Sequence, residues 1–306
     1  MIDILSKRYL YFFISLLVIV PGIIILAANG MPLSIDFTGG SLLEVKFGGG
    51  KSPQPAELVK LYEEAGVEDV QVQTTDSGTL LIRSSFINES QRDTLLRAMK
   101  ALANSEVAVQ RFDSVGPSIG EQVASRAALA VGVAALAVVI YIMIAFQKVE
   151  NAFRYGVCAV IAMMHDVAVV FAVAGIGSMF FGWQMDSLFL TALLTVIGFS
   201  VQDKIVVFDR IRENANIFRR LDYEVLVNHS IVQTLQRSIN TQLMTVEFLL
   251  LALALFGGVT LQEFAIILLV GLFSGTYSSI FIAASILVLW ENREWNNWFR
   301  PKGAAV

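Results

Sequence analysis

Apolar residues in this chain gather into long runs rather than short alternating stretches. Six runs approach the roughly 20 helical residues needed to cross ~30 Å of hydrocarbon. They lie near Tyr9–Ala28, Ser125–Phe146, Arg154–Phe181, Leu188–Phe208, Ile239–Phe256 and Phe264–Trp290, and each predicts a membrane-crossing helix. Lys7 and Arg8 precede the first, as basic residues precede a signal peptide. Its apolar run, at about 20 residues, exceeds the ~7–15 of a cleaved signal core, so a retained helix is expected. Pro21 and Gly22 inside it are tolerable where neighbouring helices restore the backbone contacts.

From Asn29 to Gln122 the pattern changes to that of a polar domain. SLLEVKF reads as a strand, and PAELVKLYEEAG as a helix closed by Gly66. VEDVQVQTT and GTLLIRSS read as strands joined by a turn at Asp76-Ser77-Gly78. Asn88 is placed to cap a helix over Glu89–Ala103, and VAVQRFDSV gives a fourth strand. The order β-α-β-β-α-β is the split βαβ, ferredoxin-like pattern. The expected fold class is therefore an α-helical integral membrane protein with six transmembrane helices plus one extracytoplasmic α+β ferredoxin-like domain. Its parts are a first helix (1–28), the outer domain (29–122), the remaining five helices (123–292) with a polar cytoplasmic connection near 209–238, and a tail (293–306).

Orientation follows from lysine and arginine in the short connections. Lys7, Arg8, Lys148, Arg154, Arg210, Arg212, Arg219, Arg220, Arg237, Arg293, Arg300 and Lys302 fall on one side, whereas Gly182–Ser187 and Gly257–Gln262 contain neither residue. Both termini are thus expected in the cytoplasm, with the chain multi-pass in its membrane.

Composition agrees. Of 306 residues 56% are hydrophobic and 16% charged, against roughly 25% charged in soluble domains. The net charge of −4 brings no basic patch for nucleic acid, and the single cysteine, Cys158, forms no intrachain disulfide. GGGKS resembles a phosphate loop, but Val45 stands where that template needs glycine. No nucleotide site, zinc spacing or nucleophile elbow is present, so neither an enzyme, a cofactor nor a metal is expected.

Ionisable groups inside a membrane cost roughly 2.5–3.5 kcal/mol each at a helix centre, which makes those in the apolar runs the candidate chemistry. Asp203 and Lys204 lie near the end of the fourth run, and Ser200 is three residues before Asp203. Asp203 reads as a proton-exchanging or ion-pairing group, or as a charge among headgroups; Lys204 has a stem long enough to snorkel. Arg237 opens the fifth run, with Thr241 and Thr245 on its face, and could reach Asp203. Glu247 lies deeper and either holds a proton or pairs with Lys204. In the third run, His165 exchanges protons near neutral pH, or His165 and Asp166 make an interhelical hydrogen bond. Gly271 and Gly275, extended by Ser279, form a small-residue face expected to pack helices closely.

Several longer motifs carry a resemblance. SIDFTGG (Ser34–Gly40) follows the first run, VGPSIGEQV (Val115–Val123) enters the second, and His165-Asp166 sits in the third. GFSVQDKIVVFDRIREN (Gly198–Asn214), QTLQRSINT (Gln233–Thr241) and GTYSSIFIA (Gly275–Ala283) follow in order. Over nearly its whole length the chain resembles the SecD/SecF family, in its SecF branch, of the resistance-nodulation-division type of transporters. The resemblance implies an accessory subunit of the bacterial Sec translocase that pairs with SecD. It implies use of the proton motive force to help pull unfolded secreted polypeptide through the SecY/SecE/SecG channel, with an insertase and a small auxiliary subunit nearby. It makes Asp203 the acid implicated in proton movement, Arg237 its partner on the fifth span, Asp209 and Arg210 the motif at the cytoplasmic end, and Asp36, Gly39 and Gly40 the outer-domain motif. The alternatives are half of a proton-coupled small-solute exporter and a passive assembly scaffold. The fourth-span signature usually reads Asn-Asp-Thr where this chain has Gln202-Asp203-Lys204, and Glu247 is likewise additional. A compensating Lys204–Glu247 pair, or neutralisation of Asp203 by Lys204, is expected.

Overall fold

The computed structural model describes residues 3–48, 52–75, 78–147, 152–242, 248–256 and 259–293. These form two compact units: one of 32–130 with 184–187, the other of 1–31, 131–183 and 188–306.

In the first unit, the elements run β1 (Gly40–Phe47), α3 (Pro55–Glu64), β2 (Gln71–Thr74), β3 (Leu80–Ser84), α4 (Glu89–Ala103) and β4 (Val107–Val115), after the single turn α2 (Ile35–Thr38). The strands make one antiparallel sheet in the order β2-β3-β1-β4. Leu43 lies opposite Ile82 on one side and Phe112 on the other. Both long helices start where the sequence supplies reciprocal caps. Gln54 and Glu57 form a capping box with Pro55 in the first turn, and Asn88 and Gln91 form another, each pair satisfying backbone donors that the first turn leaves free. Asn104, left-handed at φ 46, ends α4. The amphipathic faces so fixed bury Leu58, Tyr62, Leu95 and Met99 against Leu43, Val45, Phe47 and Ile82. Of the expected turn between β2 and β3, Gly78 takes φ 73 and donates to Thr75 O, while Asp76 and Ser77 lie outside the described residues.

The SIDFTGG motif is the corner of this unit. Ser34 caps α2 by accepting from Asp36 N. Asp36 in turn accepts from the backbone N (3.0 Å) and hydroxyl (2.8 Å) of Ser187, first residue of helix α7 (Ser187–Ile217). A carboxylate suits the exposed donors of a helix start. Gly39 holds φ 75, ψ 169, a region open essentially to glycine, and a Cβ there would stand 2.7 Å from Pro117 Cα. A Cβ on Gly120 would stand 2.5 Å from Gly39 N. SIDFTGG and VGPSIGEQV are thus two halves of one backbone-to-backbone contact.

The second unit is a helical bundle. It contains α1 (Arg8–Asn29), the later part of α5 (Pro117–Phe146), α6 (Ala152–Phe181), most of α7, α8 (Tyr223–Gln242), α9 (Phe248–Phe256), α10 (Val259–Tyr277), a π-helical turn at Ser278–Ala283 and α11 (Ala284–Glu291). Among the described residues, five segments are long and apolar enough to cross a membrane: Leu5–Asn29, Pro117–Phe146, Ala152–Phe181, Ser187–Ile217 and Leu261–Glu291. The expected run Ile239–Phe256 is split between α8 and α9 by residues outside the described set.

The boundaries differ from the sequence pattern where polar side chains extend a helix. The fourth run was expected to end near Asp209, with a connection over 209–238. Instead α7 continues to Ile217 and α8 begins at Tyr223. Asp209 pairs with Arg212 at 2.6 Å and Arg210 with Glu213 at 2.5 Å, while Asn214 donates to Ser230 at 2.8 Å. Ion pairs at i,i+3 support the helix where apolar burial ends. At this end, Arg8 meets Glu224 at 2.8 Å, Arg154 meets Glu291, and the Tyr155 and Tyr223 hydroxyls lie 3.5 Å apart. Arg8 and Arg154, in the first turns of α1 and α6, therefore share one end of the bundle with the α7–α8 connection.

Substituting Gly39→Ala should cost about 1–3 kcal/mol from the backbone region alone, with the Pro117 clash added. Hydrogen exchange of the β1 amides in the purified full chain should quicken markedly. Gly132→Ala, inside helix α5 (Pro117–Phe146) and with nothing within 4 Å of its added Cβ, should perturb those amides far less.

Candidate functional site: two buried carboxylates

Helix α6 carries Asp166 near its middle, and α7 carries Ser200 and Lys204 one turn apart on a shared face. That i,i+4 spacing aims both at one neighbour. Ser200 Oγ donates to Asp166 Oδ2 at 2.6 Å, and Lys204 Nζ donates to the same oxygen at 2.7 Å. Lys204 also donates to Ser200 O at 3.2 Å and Ser200 Oγ at 2.5 Å. These bonds account for the three N–H groups of an ammonium. Lys204 is 0% and Asp166 1% exposed.

The last apolar run supplies the rest of the shell. Ser274 and Ser278, again four apart, donate to Asp166 Oδ1 and Oδ2 at 2.7 Å each. His165 Nδ1 lies 3.1 Å from Asp166 Oδ1, while its Nε2 lies 2.8 Å from Ser15 Oγ on α1. The imidazole stacks on Tyr277, whose hydroxyl donates to Tyr11 O at 2.8 Å. Asp166 is thus a junction of α6, α7, α10 and the π turn, tied through His165 to α1.

Asp203, one residue before Lys204, points to a different face because successive helical residues are turned by about 100°. Its Oδ1 accepts from Ser238 on α8 at 2.7 Å and its Oδ2 from Ser279 at 2.5 Å. Adjacent serines of the π turn therefore serve separate carboxylates: Ser278 reaches Asp166 and Ser279 reaches Asp203. Asp203 is 8% exposed and lines a cavity of about 40 Å³ with Phe199, Gln202, Val206, Arg237, Thr241 and Leu272. A volume of that size admits water.

Several expectations are corrected by this geometry. Lys204 neither snorkels nor neutralises Asp203, because its donors are used by Asp166 and Ser200. The expected Lys204–Glu247 pair falls on Glu247, which lies outside the described residues, as does Thr245. Ser200, expected beside Asp203, faces Asp166 with Lys204. Arg237 forms no ion pair with Asp203 among the described residues; it is exposed and shares the cavity instead. Ser279, expected in a packing seam, is a carboxylate donor. Gly271 and Gly275 do permit close approach, since a Cβ on Gly271 would stand 2.2 Å from Val196 Cγ2 and one on Gly275 3.4 Å from Ser200 Cα. A tighter backbone contact joins α1 to α6, where a Cβ on Gly22 would stand 2.4 Å from Ala172 Cα. Sequence spacing did carry the missed donors: Ser200/Lys204 and Ser274/Ser278 are both i,i+4 polar pairs in apolar runs.

Comparison with known proteins bears on what this arrangement belongs to. The family described as "Protein export membrane protein SecD/SecF, C-terminal" matches residues 92–293, and the "SecD/SecF GG Motif" matches residues 24–50. The chain belongs to the SecD/SecF family. Among similar relatives is the protein translocase subunit SecF of Anaerolinea thermophila, 66% identical over 98% of this chain and 97% of that protein. That of Thermobaculum terrenum is 45% identical over 100% of both. The protein translocase subunit SecDF of Thermus thermophilus is 36% identical over 87% of this chain, which spans only 35% of that longer protein. A crystal structure of SecDF from Thermus thermophilus, titled a translocon-associated membrane protein, superposes with a TM-score of 0.80 at 32% identity, covering 95% of this chain and 39% of that one. In this SecD/SecF chain the motif glycine Gly39 forms the backbone corner described above, a Cβ on Gly40 would stand 2.7 Å from Ser84 O, and Asp203 and Arg237 fall within the stretch matched by the C-terminal family description.

Asp166 and Lys204 test each other. Removing one partner of a buried ion pair typically costs about 3–5 kcal/mol, because the other charge is left uncompensated. Asp166→Asn or Lys204→Met alone should lower the thermal stability of the detergent-purified chain by about that much. The double variant should lose less than the sum; additive losses would mean that the two do not act as a pair.

Proposed function

We propose that this chain is the SecF-type subunit of a protein translocase and that Asp203 is its proton-exchanging group. The observation that carries the site assignment is a buried carboxylate that, among the described residues, is held by hydroxyls alone and faces a cavity shared with an arginine. Moving a unit charge through 100 mV supplies about 2.3 kcal/mol, so successive protons passing Asp203 can bias a conformational cycle. The work is mechanical rather than covalent, and no enzymatic step is assigned.

When Asp203 is ionised, it accepts from Ser238 and Ser279. When it takes a proton, Ser279 can turn its own hydrogen to Thr276 O, 2.9 Å away, and accept from the new acid. Arg237 stands on the wall of the same cavity, where its positive charge opposes entry of a further cation. Asp209 and Arg210, engaged with Arg212 and with Glu213 and Gln233, stiffen the end of α7 rather than exchange protons.

The architecture proposed around this site has six spans, the sixth formed by residues 239–256, and a ferredoxin-like outer domain. Both termini face the cytoplasm of the inner membrane. The clustering of Arg8, Arg154 and the α7–α8 connection at one end of the bundle supports that orientation. SecD is the proposed partner; relatives named SecDF, which hold a similar sequence within a longer chain, support this. The SecY/SecE/SecG channel, an insertase, a small auxiliary subunit and the unfolded polypeptide in transit complete the proposed assembly.

In proteoliposomes carrying the chain with SecD, Asp203→Asn should reduce proton flux to background while complex assembly persists. Undiminished flux would overturn the site assignment. Absence of proton flux in the wild type, with translocation intact, would favour a passive scaffold, and proton-coupled solute release without polypeptide would favour a small-solute exporter.

A further inference from the structure

Asp166 and Asp203 are both buried, and both accept from serine hydroxyls. They differ in that Asp166 also faces an ammonium and an imidazole. Asp203 is served by Ser238 and Ser279, and a hydroxyl can exchange the roles of donor and acceptor. Its shell therefore accommodates either the carboxylate or the acid. Asp166 Oδ2 faces the Lys204 ammonium, which donates and cannot accept. Among the described residues, a proton placed on Asp166 would leave that ammonium buried without an anion, because its remaining bonds go to Ser200. Asp166 also lies outside the cavity that reaches Asp203.

We propose that Lys204 closes Asp166 to protons and thereby directs exchange, of these two carboxylates, to Asp203. Lys204 is in this sense a specificity-determining residue that never handles the proton itself. The proposal rests on the reading of Asp203 as the exchanging group. The other titratable groups near the pair are His165 on α6, Tyr277 at the end of α10 and Tyr11 on α1, with Arg237 on α8 facing Asp203. Only His165 touches Asp166, and its second nitrogen is engaged by Ser15. Without Lys204, the partners of Asp166 would be serine hydroxyls and that imidazole, a shell resembling the one around Asp203.

The test is pH-difference infrared spectroscopy of the chain assembled with SecD in vesicles, reading the C=O band of protonated carboxylic acids. Wild type should show a titrating band that Asp203→Asn removes and Asp166→Asn leaves in place. Lys204→Met should add a second titrating band, and Asp166→Asn in the Lys204→Met background should remove it. Lys204→Arg, which keeps the cation, should show no second band. If Lys204→Met yields too little protein, Lys204→Gln removes the charge while keeping a donor and should add the same band. A titrating Asp166 band in the wild type overturns the proposal, as does its absence from both neutral variants. A missing Asp203 band instead overturns the assignment of Asp203 and is distinguishable because the Asp166 band is read separately.

Discussion

A carboxylate and an ammonium buried together in an apolar bundle impose the constraint around which α6, α7 and the α10–α11 helix are arranged. Each ion costs several kcal/mol to desolvate in a real protein, and their attraction offsets this only when the geometry is close and the remaining donors and acceptors are satisfied. Lys204 and Asp166 meet that condition: the ammonium is fully used, and serines from two other segments fill the carboxylate. Such a shell requires the helices to come close. Gly271 against Val196 and Gly275 against Ser200 provide the space beside the ion pair. The small residues and the charges are therefore two aspects of a single packing solution.

The other unit is organised by backbone conformation rather than charge. Its sheet and two helices follow from capping boxes and a one-sided apolar core. The corner that joins the start of the sheet to the start of α5 depends on Gly39, which tolerates a region of φ and ψ closed to side chains, and on Gly120, which lets the two backbones touch. Asp36 adds a carboxylate at the first turn of α7. The resemblance motif SIDFTGG thus has a geometric role at each of Ser34, Asp36 and Gly39.

Much of this was legible from residue patterns. The β-α-β-β-α-β order, the Asn88 cap and the long apolar helices follow from periodicity and local signals that act within a few residues. The site was legible only in part. Asp203 and Asp166 could be singled out because charge is costly in an apolar run, but their partners lie on other helices, and sequence spacing fixes only the face of a single helix. Charge balance directed Lys204 toward Glu247 or Asp203; the structure directs it to Asp166, because Ser200 and Lys204 share a face that Asp203 does not. The continuation of α7 past Asp209 was missed for a related reason: polar i,i+3 pairs sustain a helix where hydropathy alone predicts a loop.

The two carboxylates show that burial does not by itself decide which group can carry a proton. Asp166 and Asp203 sit on neighbouring helices and are linked through adjacent serines of one π-helical turn, a departure from regular helix that often marks functional sites. What separates them is whether their partners can reverse. Hydroxyls around Asp203 serve the charged and the neutral form with the same atoms, so protonation there requires rotations of hydrogens rather than movement of helices. An ammonium at Asp166 serves only the charged form. Ser278 is committed to Asp166 and Ser279 to Asp203; under the proposed assignment of Asp203 as the exchanging group, a change in proton occupancy is felt on one side of the π turn while the other side remains anchored.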